Sequence, residues 1–253
     1  HELNYTSHEA AFYGKVNDDE YGQAFIQDLE KAKIAYKGVI KHNDLPTGCC
    51  NILVSSDGER TMATHIGIGS QLHPDELTED SLQGIDHIYM ESYLWDHDLT
   101  KQTLKKVGKI AKTMNIETSL SLSDPFCVER HRDELKEFIE EYVDLVFCNF
   151  DEAKMFAQSE TMADISSFFQ SFGKKIAMTA SAEGAYFFHE ETVVHQSAQN
   201  IEQVIDTTGA GDNFAAGFLD QYLSDKTTDE ALAQGNSRAG EVIQQLGPRI
   251  KRH

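Results

Sequence analysis

The run Asp206-Thr207-Thr208-Gly209-Ala210-Gly211-Asp212, continued by Asn213-Phe214-Ala215-Ala216-Gly217-Phe218, holds the residue types best suited to chemistry. A short strand enters it, a glycine turn follows and a helix begins. Gly209 and Gly211 leave the backbone uncovered, so N–H groups can converge on an anion there. The helix N-terminus adds partial positive charge. Asp212, in the first helical turn, has two readings. It is a favourable partner for the helix dipole, or an acceptor that takes a proton from a hydroxyl nucleophile. Phosphoryl transfer requires that pair, a positioned base and a cradle for developing negative charge. Two familiar glycine fingerprints do not fit: there is no G-x-x-x-x-G-K-[ST], and no G-x-G-x-x-G after a strand.

Other residues have both a structural and a chemical reading. Asn149 followed three residues later by Glu152 is a capping box, and a helix is expected there. Thr179-Ala180-Ser181-Ala182-Glu183-Gly184 follows a strand and reads as a polar hairpin entry. Phe126 packs in the core or stacks on a substrate base or sugar. Thr47-Gly48 begins the return of a β-rich section and is a candidate for substrate contact. His65, His87 and His195 lie in strands and read as surface or satisfied side chains, without metal spacing.

The elements that must position these residues alternate between two periodicities. Ala10–Val16 reads as a strand. Asp19–Lys33 reads as a helix with Tyr21, Phe25 and Leu29 on one face. Cys49–Ser55 and Glu59–Gly67 read as strands joined by an Asp57-Gly58 hairpin signal. Strands are expected at Ile85–Ser92, Ile116–Leu122, Val143–Asn149, Lys175–Thr179, Ala185–His189, Thr192–His195 and Val204-Ile205. Helices are expected at Asp98–Met114, Glu129–Tyr142, Met162–Phe172, Gly211–Ser224 and Thr228–Leu246. This alternation implies an α/β fold, a doubly wound and mostly parallel sheet with helices on both faces. Ligands in such sheets bind beyond the C-terminal ends of the strands. The early β-rich section, about 34–67, reads as a small β lid on one domain spanning 1–253.

Composition narrows the partners. The 253 residues carry 22 Lys and Arg against 42 Asp and Glu, a formal charge of −20. So acidic a chain argues against nucleic acid and anionic membrane surfaces, which need clustered basic residues. No stretch of 18 apolar residues offers a membrane span. His1–Ala10 shows no apolar signal segment, and Cys49, Cys50, Cys127 and Cys148 read as buried free thiols. A cytoplasmic address is expected.

The Asp206–Phe218 run is similar to the C-terminal signature of the ribokinase / phosphofructokinase-B family of carbohydrate and nucleoside kinases. Gly14–Gly22 resembles that family's G-x-[VL]-G-x-D-x-x-G segment, with Asn17 at the usual glycine. Asp57–Met62 resembles its lid hairpin, and Ser121–Phe126 the N-L-S-x-P-F segment of adenosine kinases. The resemblance covers nearly the whole chain and is most like bacterial adenosine-kinase-like sugar kinases. It implies Asp212 as catalytic base and Gly209, Ala210 and Gly211 as the anion hole for a γ-phosphate. It implies a potassium ion near Asp206 and Thr208, and an N-x-x-E motif at Asn149 and Glu152 that tunes Mg²⁺ and phosphate binding. Thr179, Ser181 and Gly184 resemble the family's T-x-G-x-x-G nucleotide loop, with Ser181 at a usual glycine. By the same likeness Asn236 faces adenine.

The family's opening strand with its substrate-binding Asp, and its Gly-Gly hinge, do not precede Ala10. Segments beyond these residues are therefore expected; an intact mass clearly above 28.4 kDa would support that and an equal mass would refute it. The expected reaction moves the γ-phosphate of MgATP to a primary hydroxyl of a ribose-containing substrate, adenosine, a related nucleoside or a sugar. The alternatives are a pentose or hexose kinase, a non-catalytic ligand sensor and, least fitting, a nucleotide-binding oxidoreductase. Lid strands with an exposed edge allow a monomer or a homodimer.

Overall fold

A computed structural model describes residues 8–42, 44–55 and 60–250. The chain forms two compact units, one from residues 1–72 with 198–253 and one from residues 73–197.

The first unit opens with short parallel pairs around a helix. β1 (Ala11–Phe12) pairs with β3 (Ala35–Tyr36), and β2 (Lys15–Asn17) pairs with β4 (Val39–Lys41). The single strand expected over Ala10–Val16 is thus two, because the chain changes partner at Gly14, whose carbonyl accepts from Val39 N–H and the Tyr36 hydroxyl. Between them α1 (Glu20–Lys31) is capped by Asp19, whose carboxylate accepts the Gly22 N–H at 2.8 Å. Leu29, Ala32 and Ile34 form a small core with Phe25 and Tyr36. Tyr21 departs from expectation and is 66% exposed. The buried face runs through Gly22, Phe25 and Leu29 instead, with Gly22 pressed against the Asn17 carbonyl.

β5 (Cys49–Val54) and β6 (Arg60–His65) form the expected antiparallel hairpin, in register from Cys49–His65 to Val54–Arg60. Its Asp57-Gly58 turn lies outside the described residues. Cys49 and Cys50 are exposed on β5, against expectation, whereas Cys127 and Cys148 are buried; all four thiols are free. The alternating β5 residues face outward on both sides, so no core is available to bury those thiols.

The second unit is one six-stranded sheet. β7 (His87–Glu91) leads to α2 (Asp98–Met114), β8 (Glu117–Ser121), α3 (Pro125–Tyr142) and β9 (Leu145–Asn149). Then come α4 (Phe150–Ala157), α5 (Met162–Phe172), β10 (Lys175–Thr179), β11 (Ala185–His189) and β12 (Thr192–Gln196). The strand order is β12-β11-β10-β9-β8-β7. β7 to β10 are parallel, while β11 and β12 extend the edge antiparallel. Central strands are buried runs, Leu145–Phe147 and Ile176–Met178 among them, as a sheet covered on both faces requires. α3 starts a turn earlier than the expected Glu129, because Asp124 caps it and Pro125 suits the first helical position.

The chain then returns to the first unit with α6 (Ala210–Tyr222) and α7 (Thr228–Val242), which approach closely where Gly217 meets Gln234 and Gly235 meets Phe214. The strand expected at Val204-Ile205 does not form: the N–H groups of Ile205 and Asp206 donate to the carbonyl of Ile243, at the end of α7. α7 stops short of the expected Leu246 for a related reason. Gly247 N–H, which a longer helix would send to Ile243, donates to the Asp206 carboxylate instead. Among the described residues, no helix is long and apolar enough to cross a membrane.

Candidate active site

In the first unit, α6 opens on a glycine in the left-handed region. Gly209 is the N-cap at φ 79° and ψ 6°. That conformation costs an L side chain about 1–2 kcal/mol. A Cβ at Gly209 would also lie 2.7 Å from Pro248 Cβ and 2.8 Å from Pro248 O. The turn is therefore closed from one side by the segment that follows α7. Gly211 is different: a Cβ there would meet no described neighbour within 4 Å. That side is open to an anion, and the first N–H groups of a helix lack intrahelical acceptors. Asp212 follows, exposed in the first turn.

Asp206 and Thr208 brace this turn from within. Both are buried. Asp206 Oδ1 accepts the Thr208 N–H at 2.9 Å and the Thr208 hydroxyl at 2.6 Å, and Oδ2 accepts Gly247 N–H at 2.9 Å. Three donors of the chain thus occupy most of the acceptor positions of the Asp206 carboxylate, so the turn is braced without an added ion. Asn213 adds a second brace: its Nδ2 donates to Gly209 O at 2.8 Å and to Pro248 O at 3.0 Å. Its Oδ1 is buried without a hydrogen-bond partner among the described residues. Neither Asn213 nor the Gly247-Pro248 pair stood out in the sequence. The available signal was the Gly-Pro dipeptide that breaks the last helix.

Thr47, also in the first unit, is buried and bound into a bracket. Its hydroxyl donates to Asp19 Oδ1 at 2.7 Å and accepts from Asn17 N–H at 2.9 Å, while its own N–H donates to Asp19 Oδ2 at 2.8 Å. These bonds, the Thr47 hydroxyl first, hold the Asp19 carboxyl below its ordinary range. Asn236 is buried in α7.

In the second unit the candidate residues gather at the C-terminal ends of the parallel strands. Asn149, at the end of β9, caps α4: Asn149 Oδ1 accepts Glu152 N–H at 2.8 Å. In return the Asn149 N–H and Nδ2 donate to the two Glu152 oxygens at 2.9 and 2.7 Å. The capping-box reading therefore describes the geometry. Glu152 is only 5% exposed, and burial pushes its carboxyl up to about 7, with the charges of Asp124 and Asp151 adding to the rise and the Asn149 N–H opposing it. Beneath it, burial drives the Cys148 thiol well above its usual range.

Thr179 ends β10, and the following turn closes through Ala180 N–H to Gly184 O at 2.7 Å. Ser181 stands at φ 50° and Gly184 at φ 100°. Ser181 thus occupies a left-handed position that glycine adopts with less strain, in an exposed turn. Phe126, in the first turn of α3, is 69% exposed and not a core residue. His87 contacts Ser119 and Glu117, and His195 contacts Glu183 O and stacks on Tyr186, so both have local partners. His65 lies on exposed β6.

Among the described residues, no three His, Cys, Asp or Glu side chains group to hold a metal.

Comparison with known proteins agrees with this arrangement. The model of the pfkB family carbohydrate kinases matches residues 3–252. Adenosine kinase from Sinorhizobium meliloti is 36% identical with a TM-score of 0.92, over 98% of this chain and 76% of that one. A probable sugar kinase from Rhizobium etli is 34% identical with a TM-score of 0.93, over the same shares, 98% and 76%. Adenosine kinase 2 from Arabidopsis thaliana is 26% identical over 94% of this chain and 72% of its own length.

Proposed function

The chain belongs to the pfkB family of carbohydrate kinases, phosphotransferases that act on an alcohol group, and from that premise we propose that its acceptor is a nucleoside, phosphorylated on a primary ribose hydroxyl. ATP and Mg²⁺ are the usual cofactors of pfkB kinases. The observation that carries the reading is the turn Gly209–Asp212, shut by Pro248 on one side, open at Gly211 on the other, with a carboxylate in the first turn.

Asp212 takes the proton of the acceptor hydroxyl as that oxygen bonds to the γ-phosphorus and the bond to ADP breaks. The N–H groups of Gly209, Ala210 and Gly211 supply partial positive charge to the transferring group, the Ala210 N–H while also donating to Thr207 O at 3.2 Å. Bound Mg²⁺ neutralises phosphate charge. Asn149 and Glu152 are assigned the family's N-x-x-E part in Mg²⁺ and phosphate binding. In the second unit Thr179, Ser181 and Gly184 are assigned to the nucleotide and Phe126 to the acceptor by likeness to the family's segments; in the first unit Asn236 is assigned to adenine by the same likeness. Thr47 sits too deep in its bracket for more than an indirect part. Proton removal by a positioned base is worth about 10²–10⁴-fold in rate. The likeness to adenosine kinase of S. meliloti supports a nucleoside, and the likeness to the R. etli protein keeps a free sugar as the second reading.

The deciding experiment is ADP release from MgATP across nucleosides, pentoses and hexoses, with Asp212→Asn as control. Release driven by a nucleoside, and lowered at least a hundredfold in the variant, supports the proposal. Release with free sugars alone makes the enzyme a pentose or hexose kinase. Full turnover in Asp212→Asn removes the assigned base.

A further inference from the structure

His195 lies on the edge strand β12, yet its ring reaches the turn that follows β10. Its Nε2–H donates to Glu183 O at 2.8 Å. In the antiparallel register His195 stands directly opposite Tyr186 of β11. The two rings stack with centroids 4.3 Å apart and planes 26° apart. The Tyr186 hydroxyl donates to Glu183 Oε2 at 3.5 Å, so both rings of the stack hold the same turn residue.

The stack continues inward. Tyr186 lies 6.1 Å from Phe188, further along β11, with planes 15° apart, and Phe188 lies 5.4 Å from Phe169 of α5. Phe169 and Phe188 are fully buried, whereas His195 is exposed. A column of aromatic rings thus carries the rigidity of the packed core out to the turn. The turn needs such a hold. Ser181 stands at φ 50°, left-handed backbone that costs a residue with a side chain free energy and persists where the surroundings over-determine it. Within the turn, Glu183 N–H donates to Ala180 O at 3.0 Å and Gly184 N–H to Ser181 O at 3.1 Å. The bond from His195 ties this closed turn to the neighbouring hairpin strand.

We propose that His195 is a positioning residue for the nucleotide, acting through Glu183 O to hold the 180–184 turn in the shape that receives MgATP. The proposal rests on the assignment of Thr179, Ser181 and Gly184 to the nucleotide. A turn held before binding has less backbone freedom to lose when the nucleotide arrives, so the tether strengthens affinity. Its removal weakens nucleotide binding without unfolding the sheet, because the bond lies at the surface.

The test is calorimetric titration of the full chain with MgADP, which needs no acceptor and so stands apart from the nucleoside reading. His195→Ala should raise Kd about three- to tenfold, the range of one hydrogen bond between uncharged groups. His195→Gln presents an amide N–H at a similar reach and should recover most of that loss. Both variants should unfold in urea at the wild-type midpoint, as substitutions at exposed positions do. Ser181→Glu checks the assignment beneath the proposal: a carboxylate on the turn should raise Kd for MgADP about tenfold or more by like-charge repulsion. A wild-type Kd in His195→Ala beside a raised one in Ser181→Glu overturns the proposal and leaves the nucleotide turn standing. A wild-type Kd in Ser181→Glu overturns that assignment and the proposal with it. Equal losses in His195→Ala and His195→Gln take the effect off the hydrogen bond and also overturn the proposal.

Discussion

Asp206 and Gly247 are 41 residues apart, yet the carboxylate of one accepts the backbone N–H of the other at 2.9 Å. The same carboxylate fixes Thr208, so one buried side chain joins the end of α7 to the turn that opens α6. Asp206→Ala would take their acceptor from the two donors of buried Thr208 and from the half-buried Gly247 N–H. The expected loss is about 2–4 kcal/mol of stability in urea unfolding, with a fall in kcat of at least tenfold. An unfolding midpoint equal to that of wild type would dismiss the brace.

Gly209 and Gly211 make opposite predictions from one turn. Gly209→Ala places a Cβ 2.7 Å from Pro248 at positive φ, and should cost about 1–3 kcal/mol of stability. Gly211→Ala adds a Cβ in open space within a helix, where alanine is favoured over glycine by up to about 1 kcal/mol. That protein should melt at or above the wild-type temperature while its turnover drops, because the methyl group stands where phosphate must approach. Full turnover in Gly211→Ala would mean that phosphate does not use this face.

Glu152 predicts a pH dependence of stability. Its folded pKa of about 7 lies above the ordinary 4.5, so the folded protein binds the proton more tightly than the unfolded chain does. Stability from this group is complete below about pH 4.5 and is lost as pH rises through about 7. The span is on the order of 3 kcal/mol. Glu152→Gln should flatten the profile between pH 5 and 8, measured by urea unfolding without nucleotide or Mg²⁺. Parallel wild-type and variant curves over that range would show that Glu152 ionises normally.

Potassium should be dispensable. The donors of Thr208 and Gly247 already engage both oxygens of Asp206. Replacing KCl by tetramethylammonium chloride at equal ionic strength should change ADP release less than about twofold, since screening is then unchanged. A tenfold loss restored by KCl would place a cation at the turn after all.

Much of this architecture was legible because it is local. Asp98–Met114, Met162–Phe172 and Lys175–Thr179 begin and end where periodicity and capping residues put them. The Asn149–Glu152 pair behaves as its spacing alone predicts. The misses are tertiary. Val204-Ile205 looks like a strand until the Ile243 carbonyl claims its neighbouring N–H groups. Tyr21 fits a helical stripe until Gly22 takes the contact with Asn17 and turns the buried face. Pro248 reads as a helix breaker, and its place over Gly209 depends on a chain reversal that no local pattern encodes. The tie of Tyr93 to Ser123 joins the segments that follow the neighbouring strands β7 and β8, 30 residues apart, and carries no motif.

The β5–β6 hairpin has a practical consequence for anyone screening variants. Leu53 is 72% exposed and Met62 50%, and of the side chains described on the two strands only Val54 is half-buried. With almost nothing packed, the ribbon contributes little to the cooperative unfolding transition. Damage to it would barely register in a thermal melt. A library ranked by melting temperature would therefore pass inactive hairpin mutants as healthy, and only a turnover assay would sort them.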